Sequence, residues 1–293
     1  MYSWALIIFC FISFNCNSSD IKVDNKIINK STNIAIYECG SDSIALSQIA
    51  KDALMAAGLT KCMMPFGVLI GSDKNIPDSF VLLAGRILSE MLDQNMDGEV
   101  DDSLILDYVQ NWERAWLAMP SDPEIWENDQ LPILQGILGY DIIIPEWWMG
   151  SLGLLQPDDN AKSVMVEEIT HFLTQFGYSE LYPEQFGVTN WSSVIGRETL
   201  IAQCRWWQHP ENDCPNSPSQ ISGDCSSPDC DIVEFYHQVL ILRAGMVPGW
   251  FGIGFPNSKE ELEVVLSDEI KSIIDSPIYH QIKAPISFQY PIP

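Results

Sequence analysis

Two glutamates and a histidine, Glu167, Glu168 and His171, stand in one five-residue run. At 100° per residue, Glu167 and His171 are about 40° apart on a helix, so both side chains leave the same face. An HExxH helix presents two ligands to zinc at this spacing. Here Glu167 takes the place of the first histidine, and Glu168 that of the general base. A carboxylate can bind zinc, so the pattern is altered rather than erased. An ordinary amphipathic helix with two exposed glutamates and a histidine has the same spacing. A second pair, Glu234 and His237, lies three apart in a segment that is apolar nearly all round. A carboxylate buried there needs a partner, because an isolated buried charge is very costly. That partner can be a metal, Arg197, Arg205 or Arg243. The economical arrangement puts Glu167, His171 and Glu234 around one zinc ion. Glu168 would then take a proton from zinc-bound water. The competing arrangement is a di-iron site, with two Glu-x-x-His helices and further carboxylates from Glu198 and Glu90. The loop and strands between the two helices suit a simple bundle poorly.

A second group of oxygen ligands runs from Asp93 through Asn95, Asp97, Glu99, Asp101 and Asp102. Oxygen side chains at alternate positions can converge on a hard cation, and Gly98 permits the sharp turn at the sixth position. Glu99 offers its backbone carbonyl, and Val100 anchors the loop in the core. The pattern predicts a calcium loop between two helices, EF-hand-like. It departs from the pattern at the twelfth position, where Leu104 replaces the expected bidentate glutamate and Asp102 is the available substitute. A solvated acidic turn is the plainer reading, but it does not account for a glycine at the required position.

Composition limits the setting. The chain carries 40 acidic against 15 basic residues, a net charge of -25, with 46% hydrophobic residues and 19% charged. The low charged fraction excludes an acidic disordered tail. The sign argues against phosphate-backbone and anionic-membrane binding. Metal ions and an extracellular peptide or protein remain as partners. Residues 4–14 are apolar and uncharged, and polar residues follow. This is the length of a signal-peptide core and too short for a membrane span. Cleavage after residue 18 is expected, giving a secreted chain. Six cysteines then remain: Cys39, Cys62, Cys204, Cys214, Cys225 and Cys230. An even count in an exported chain predicts three disulfides. Cys39 and Cys62 flank the first helix and form the expected pair, and the other four pair within the loop at 204–230. Asn29-Lys30-Ser31 and Asn190-Trp191-Ser192 are glycosylation acceptor sequences.

The elements that must carry these groups read as follows. Helical periodicity covers residues 43–57, 80–92, 103–119, 161–176, 189–206 and 231–244, with one or two short helices in 258–275. Asp78 is the expected N-cap of the second. Strands are expected at 65–70, 133–138 and 141–145. Trp147-Trp148 and Trp206-Trp207 are read as core, His209 as a surface loop residue and His280 as structural. The expected architecture is α+β and mostly helical. It is a single domain over 19–293, with the calcium loop in 42–119 and the EExxH helix and disulfide loop in 131–276.

The order of these parts resembles a family of secreted eukaryotic proteins. Its members show a GV strand, a helix entering an LDxDxDGxxD loop, an EExxH helix followed by GY, a cysteine-rich loop and a helix with a Glu-aromatic pair. Here these are Gly67-Val68, residues 92–101, Glu167 to His171 with Gly177-Tyr178, residues 214–230 and Glu234-Phe235. The match spans residues 65–245. The resemblance implies that Glu167, His171 and Glu234 act together. It also implies an aromatic at the position of His237, which counts against di-iron. The functional expectation is a secreted calcium-binding protein with a zincin-like site, a metal-dependent peptide hydrolase or an inactive relative of one. The alternatives are a non-catalytic extracellular calcium-binding matrix or interaction protein, and a di-iron oxidase.

Overall fold

The computed structural model describes residues 35–144, 156–207, 227–247, 252 and 254–291. The expected signal segment, Asn29-Lys30-Ser31, Trp147-Trp148, His209, Cys214 and Cys225 lie outside the described residues. Five strands form one mixed sheet: β1 (Tyr37–Glu38), β2 (Leu59–Met63), β3 (Ile70–Asp73), β4 (Ala115–Met119) and β5 (Tyr140–Ile143), in that spatial order. The pairs β1–β2 and β2–β3 are antiparallel, while β3–β4 and β4–β5 are parallel. Parallel neighbours need a crossover. Between β3 and β4 it is supplied by α2 (Asp78–Leu92) and α3 (Ser103–Val109).

Alternation along β4 divides the core. Trp116 and Ala118 face one cluster with Leu54 of α1 (Gln48–Ala56) and Trp126. Ala115, Leu117 and Met119 face a larger cluster shared with α2, α4 (Asp159–Leu173), α5 (Val194–Arg205) and α6 (Pro228–Arg243). Gly71 of β3 is required by this packing, since a Cβ there would lie 2.9 Å from the Trp116 ring. The short helices α7 (Lys259–Val265) and α8 (Asp268–Asp275) close the larger cluster through Leu262, Ile270 and Ile274. The architecture is thus α+β and a single domain, with helices in the majority.

Several local expectations are corrected. Residues 103–119 were expected as one helix; the chain instead turns after Val109 and enters β4. All five β4 residues are buried, because they have core on both faces. Such a strand has no alternation to separate it from a helix. The strand expected at 65–70 begins only at Ile70. Pro65–Gly67 is a tight turn, with φ of 50° at Phe66 and 89° at Gly67. Residues 133–138 form a helical turn, Leu131–Leu134, and a single bridge from Gln135 to Leu138 rather than a strand. Asp78 is the first helical residue, not the cap, and pairs with Lys61 at 2.7 Å. The helices at α4 and α6 fall where periodicity placed them.

The Cys39–Cys62 disulfide forms as expected, tying the segment before α1 to β2. Cys204 and Cys230 are also disulfide-bonded. Among the described residues, no helix is long and apolar enough to cross a membrane.

Candidate metal centre

Helix α4 is capped by Asp158, whose side chain accepts from the Ala161 amide at 2.8 Å. Met165, Ile169 and Phe172 form its fully buried stripe, which fixes the rotation of the helix about its axis. That rotation turns Glu167 and His171 toward α6. Helix α6 is buried on most sides, with His237 buried and the Glu234 side chain a quarter exposed. The C-terminal half of α4 meets the middle of α6, and four side chains converge.

Ligand atoms of Glu167, His171, Glu234 and His237 all lie within 4.8 Å of one another. His171 Nε2 is 2.9 Å from His237 Nδ1 and 3.9 Å from Glu234 Oε2. His237 Nδ1 is 3.6 Å from Glu234 Oε2, and His237 Nε2 is 3.7 Å from Glu167 Oε1. Donor atoms at 2.0–2.1 Å from a tetrahedral ion stand about 3.3 Å apart. His237 can give only one of its ring nitrogens to an ion; with one donor atom from each residue the four lie within 4.8 Å, so pairs must close by up to about 1.5 Å on binding. Among the described residues, this is the one group of His, Cys, Asp and Glu that gathers so closely.

The electrostatics without an ion are strained. Burial lifts Glu167, His171 opposes this, and Glu234 and Glu168 add to it, taking the carboxyl to about 7. Burial would lower His171, but Glu234, Glu168 and Glu167 outweigh it and raise the imidazole to about 9. Burial and the adjacent His171 charge hold His237 well below its ordinary value. His237 Nε2 is buried with no hydrogen-bond partner among the described residues. A buried donor or acceptor left unmade costs about 1–3 kcal/mol. One divalent ion would compensate both carboxylates at once and engage one nitrogen of each imidazole. Two carboxylates and two neutral imidazoles around it sum to zero charge, which suits a buried site. The donor set of two nitrogens and two oxygens fits zinc, iron or manganese better than calcium.

The three ligands expected around one point, Glu167, His171 and Glu234, are therefore together. His237 joins them, although the family resemblance placed an aromatic there. Its signal was the Glu-x-x-His spacing of an apolar helix. Glu168 contacts His171 Nδ1 at 3.4 Å, at the ring nitrogen that does not face His237 and Glu234. The carboxylates nominated for a di-iron site are elsewhere. Glu90 accepts from Ser287 and Phe288, and Glu198 accepts from the Ser267 amide at 3.0 Å. Two arginines proposed as partners for Glu234 are also committed: Arg197 to Glu269, and Arg243 to Glu263 and Asp275. Arg205 is exposed. Trp206 and Trp207 pack on Phe235 as core, and His280 gives its backbone carbonyl to Gln94.

The loop between α2 and α3 closes around Asp93. Its Oδ1 accepts from the Asp97 amide at 3.2 Å, and its Oδ2 from the Gly98 amide at 2.8 Å and from the Tyr290 hydroxyl. Gly98 adopts φ 88°, the left-handed turn expected of it. Asn95 and Asp97 accept from the amides two residues on, and Asp101 from the Gln94 amide. Asp102 spends Oδ1 on the Leu104 and Ile105 amides as the cap of α3. Glu99 is exposed at the seventh position, and Val100 packs on the core.

No protein-family model, curated protein or solved structure matches this chain.

Proposed function

We propose that this chain is an exported metalloprotein that holds one divalent transition ion through Glu167, His171, Glu234 and His237, with zinc the expected ion. The convergence of these four side chains from two helices carries the reading. In this reading Glu168 fixes the His171 ring through Nδ1, so that Nε2 is the ligand atom. The role of general base passes away from Glu168, because its carboxylate sits at the opposite nitrogen of that ring. The chemistry that such an ion supplies is activation of water, and the likeness to HExxH helices points to peptides or esters as substrate class. The resemblance to the secreted family with a calcium loop and an EExxH helix supports the same assignment. A calcium ion in the α2–α3 loop is the second part of the proposal, favoured by the amide contacts that already shape that loop around Asp93. Should only calcium bind, the chain is a non-catalytic extracellular interaction protein. The test is metal analysis of chain purified without chelators, beside Glu234→Ala and His237→Ala. One transition ion per wild-type chain, lost in both variants, is the expected result. Wild type that neither carries nor takes up zinc, iron or manganese sinks the proposal.

A further inference from the structure

Asp231 lies one helical turn before Glu234 on α6, so the two side chains rise from neighbouring positions on one face, with Cβ atoms about 5–6 Å apart. Glu168 has the same relation to His171 on α4, but it makes a contact there. Asp231 is only 3% exposed, and its Oδ1 has no hydrogen-bond partner among the described residues. A buried carboxylate oxygen without a donor is rare and costly unless a ligand or water supplies one. The first-turn position of α6 gives a partial account through the helix dipole, but that effect requires neither burial nor an empty oxygen.

We propose that Asp231 is the proton-accepting residue of the centre, placed outside the ligand set to take the proton of a water bound to the ion. This inference rests on the metal reading above. Four protein ligands fill the tetrahedral set of zinc, so a water enters by expansion to five donors or on an octahedral ion such as manganese. In the reaction, metal-bound water gives a proton to the Asp231 carboxylate as its oxygen bonds to a substrate carbonyl carbon. The bond from that carbon to the leaving oxygen or nitrogen then breaks. Asp231 returns the proton to the leaving atom, and the carboxylate is regenerated. In the metal-free chain burial, then the charges of Glu234 and Asp229, hold the Asp231 carboxyl above its ordinary value.

The test uses full-length secreted chain loaded with zinc or manganese, with p-nitrophenyl acetate as probe. Wild type should hydrolyse the ester in proportion to bound ion. Asp231→Asn should keep the ion and the melting temperature but lower kcat by about 100-fold or more, with KM little changed and the acidic limb of the pH profile removed. Asp231→Glu should recover part of the rate, which a purely structural role does not predict. Metal-loaded wild type without hydrolysis, or Asp231→Asn within twofold of wild type, overturns the proposal. A wild type that binds no ion is detected by metal content alone and overturns the underlying site as well.

Discussion

At the residue scale, His237 is the most buried member of the centre. It is 1% exposed, and both ring nitrogens face other members of the cluster. His237→Ala should abolish retention of the transition ion and lower the melting temperature while leaving far-UV circular dichroism unchanged, since α6 keeps core contacts on its other faces. Glu168→Ala should weaken binding by about 10–100-fold, the usual effect of losing an outer partner of a ligand histidine. Glu168→Gln should lose less, because its carbonyl still accepts from Nδ1. Competition with a chelator of known affinity reads both. The titrations give a further expectation. A raised imidazole means that the folded state binds its proton more tightly than the unfolded chain. Its contribution to stability is full below the ordinary value of 6.5 and is lost as pH climbs through about 9. Glu167, raised to about 7, acts in the same direction at lower pH. His237 is lowered and acts oppositely, adding stability with pH only up to its ordinary 6.5. Between pH 6.5 and 9 the decline therefore prevails in metal-free protein. Its melting temperature should fall across that window, and His171→Ala should flatten the fall. Bound zinc should remove it, because the ion requires the deprotonated ligands.

At the element scale, the loop between α2 and α3 is the part most open to test by ion addition. Calcium should raise the melting temperature, by an amount following RT ln(1 + [L]/Kd), about 2.7 kcal/mol at one hundred times Kd. Asp93→Ala should abolish the rise, and no shift at millimolar calcium would refute the loop as a site. The helices that carry the centre were legible in the sequence because each has a distinct pattern. Met165, Ile169 and Phe172 mark one stripe on α4, and α6 is apolar throughout. β2, β4 and the turn at Pro65–Gly67 were not legible. β4 is packed on both faces, so its five residues are all buried and carry no period. The segment after Met64 looks like a strand by composition, but proline at 65 and the left-handed Gly67 turn it. The meeting of α4 and α6 is set by tertiary packing. Sequence could put Glu234 in need of a partner, but it could not say which of a metal or three arginines would supply one.

At the scale of the whole molecule, the net charge of -25 makes cation binding favourable at more than one place, and the centre differs from the rest of that charge by being half-buried and mixed with buried imidazole. An ion there joins α4 to α6, and through α6 to α5, so its loss should loosen the larger core rather than a surface loop. Anomalous scattering at metal absorption edges, on crystals grown without chelator, tests the centre most directly. The account predicts one strong peak between Glu167, His171, Glu234 and His237, with donor distances near 2.0–2.2 Å. A structure in which these four side chains are held by hydrogen bonds alone, with no peak after soaking in zinc or manganese, would contradict it.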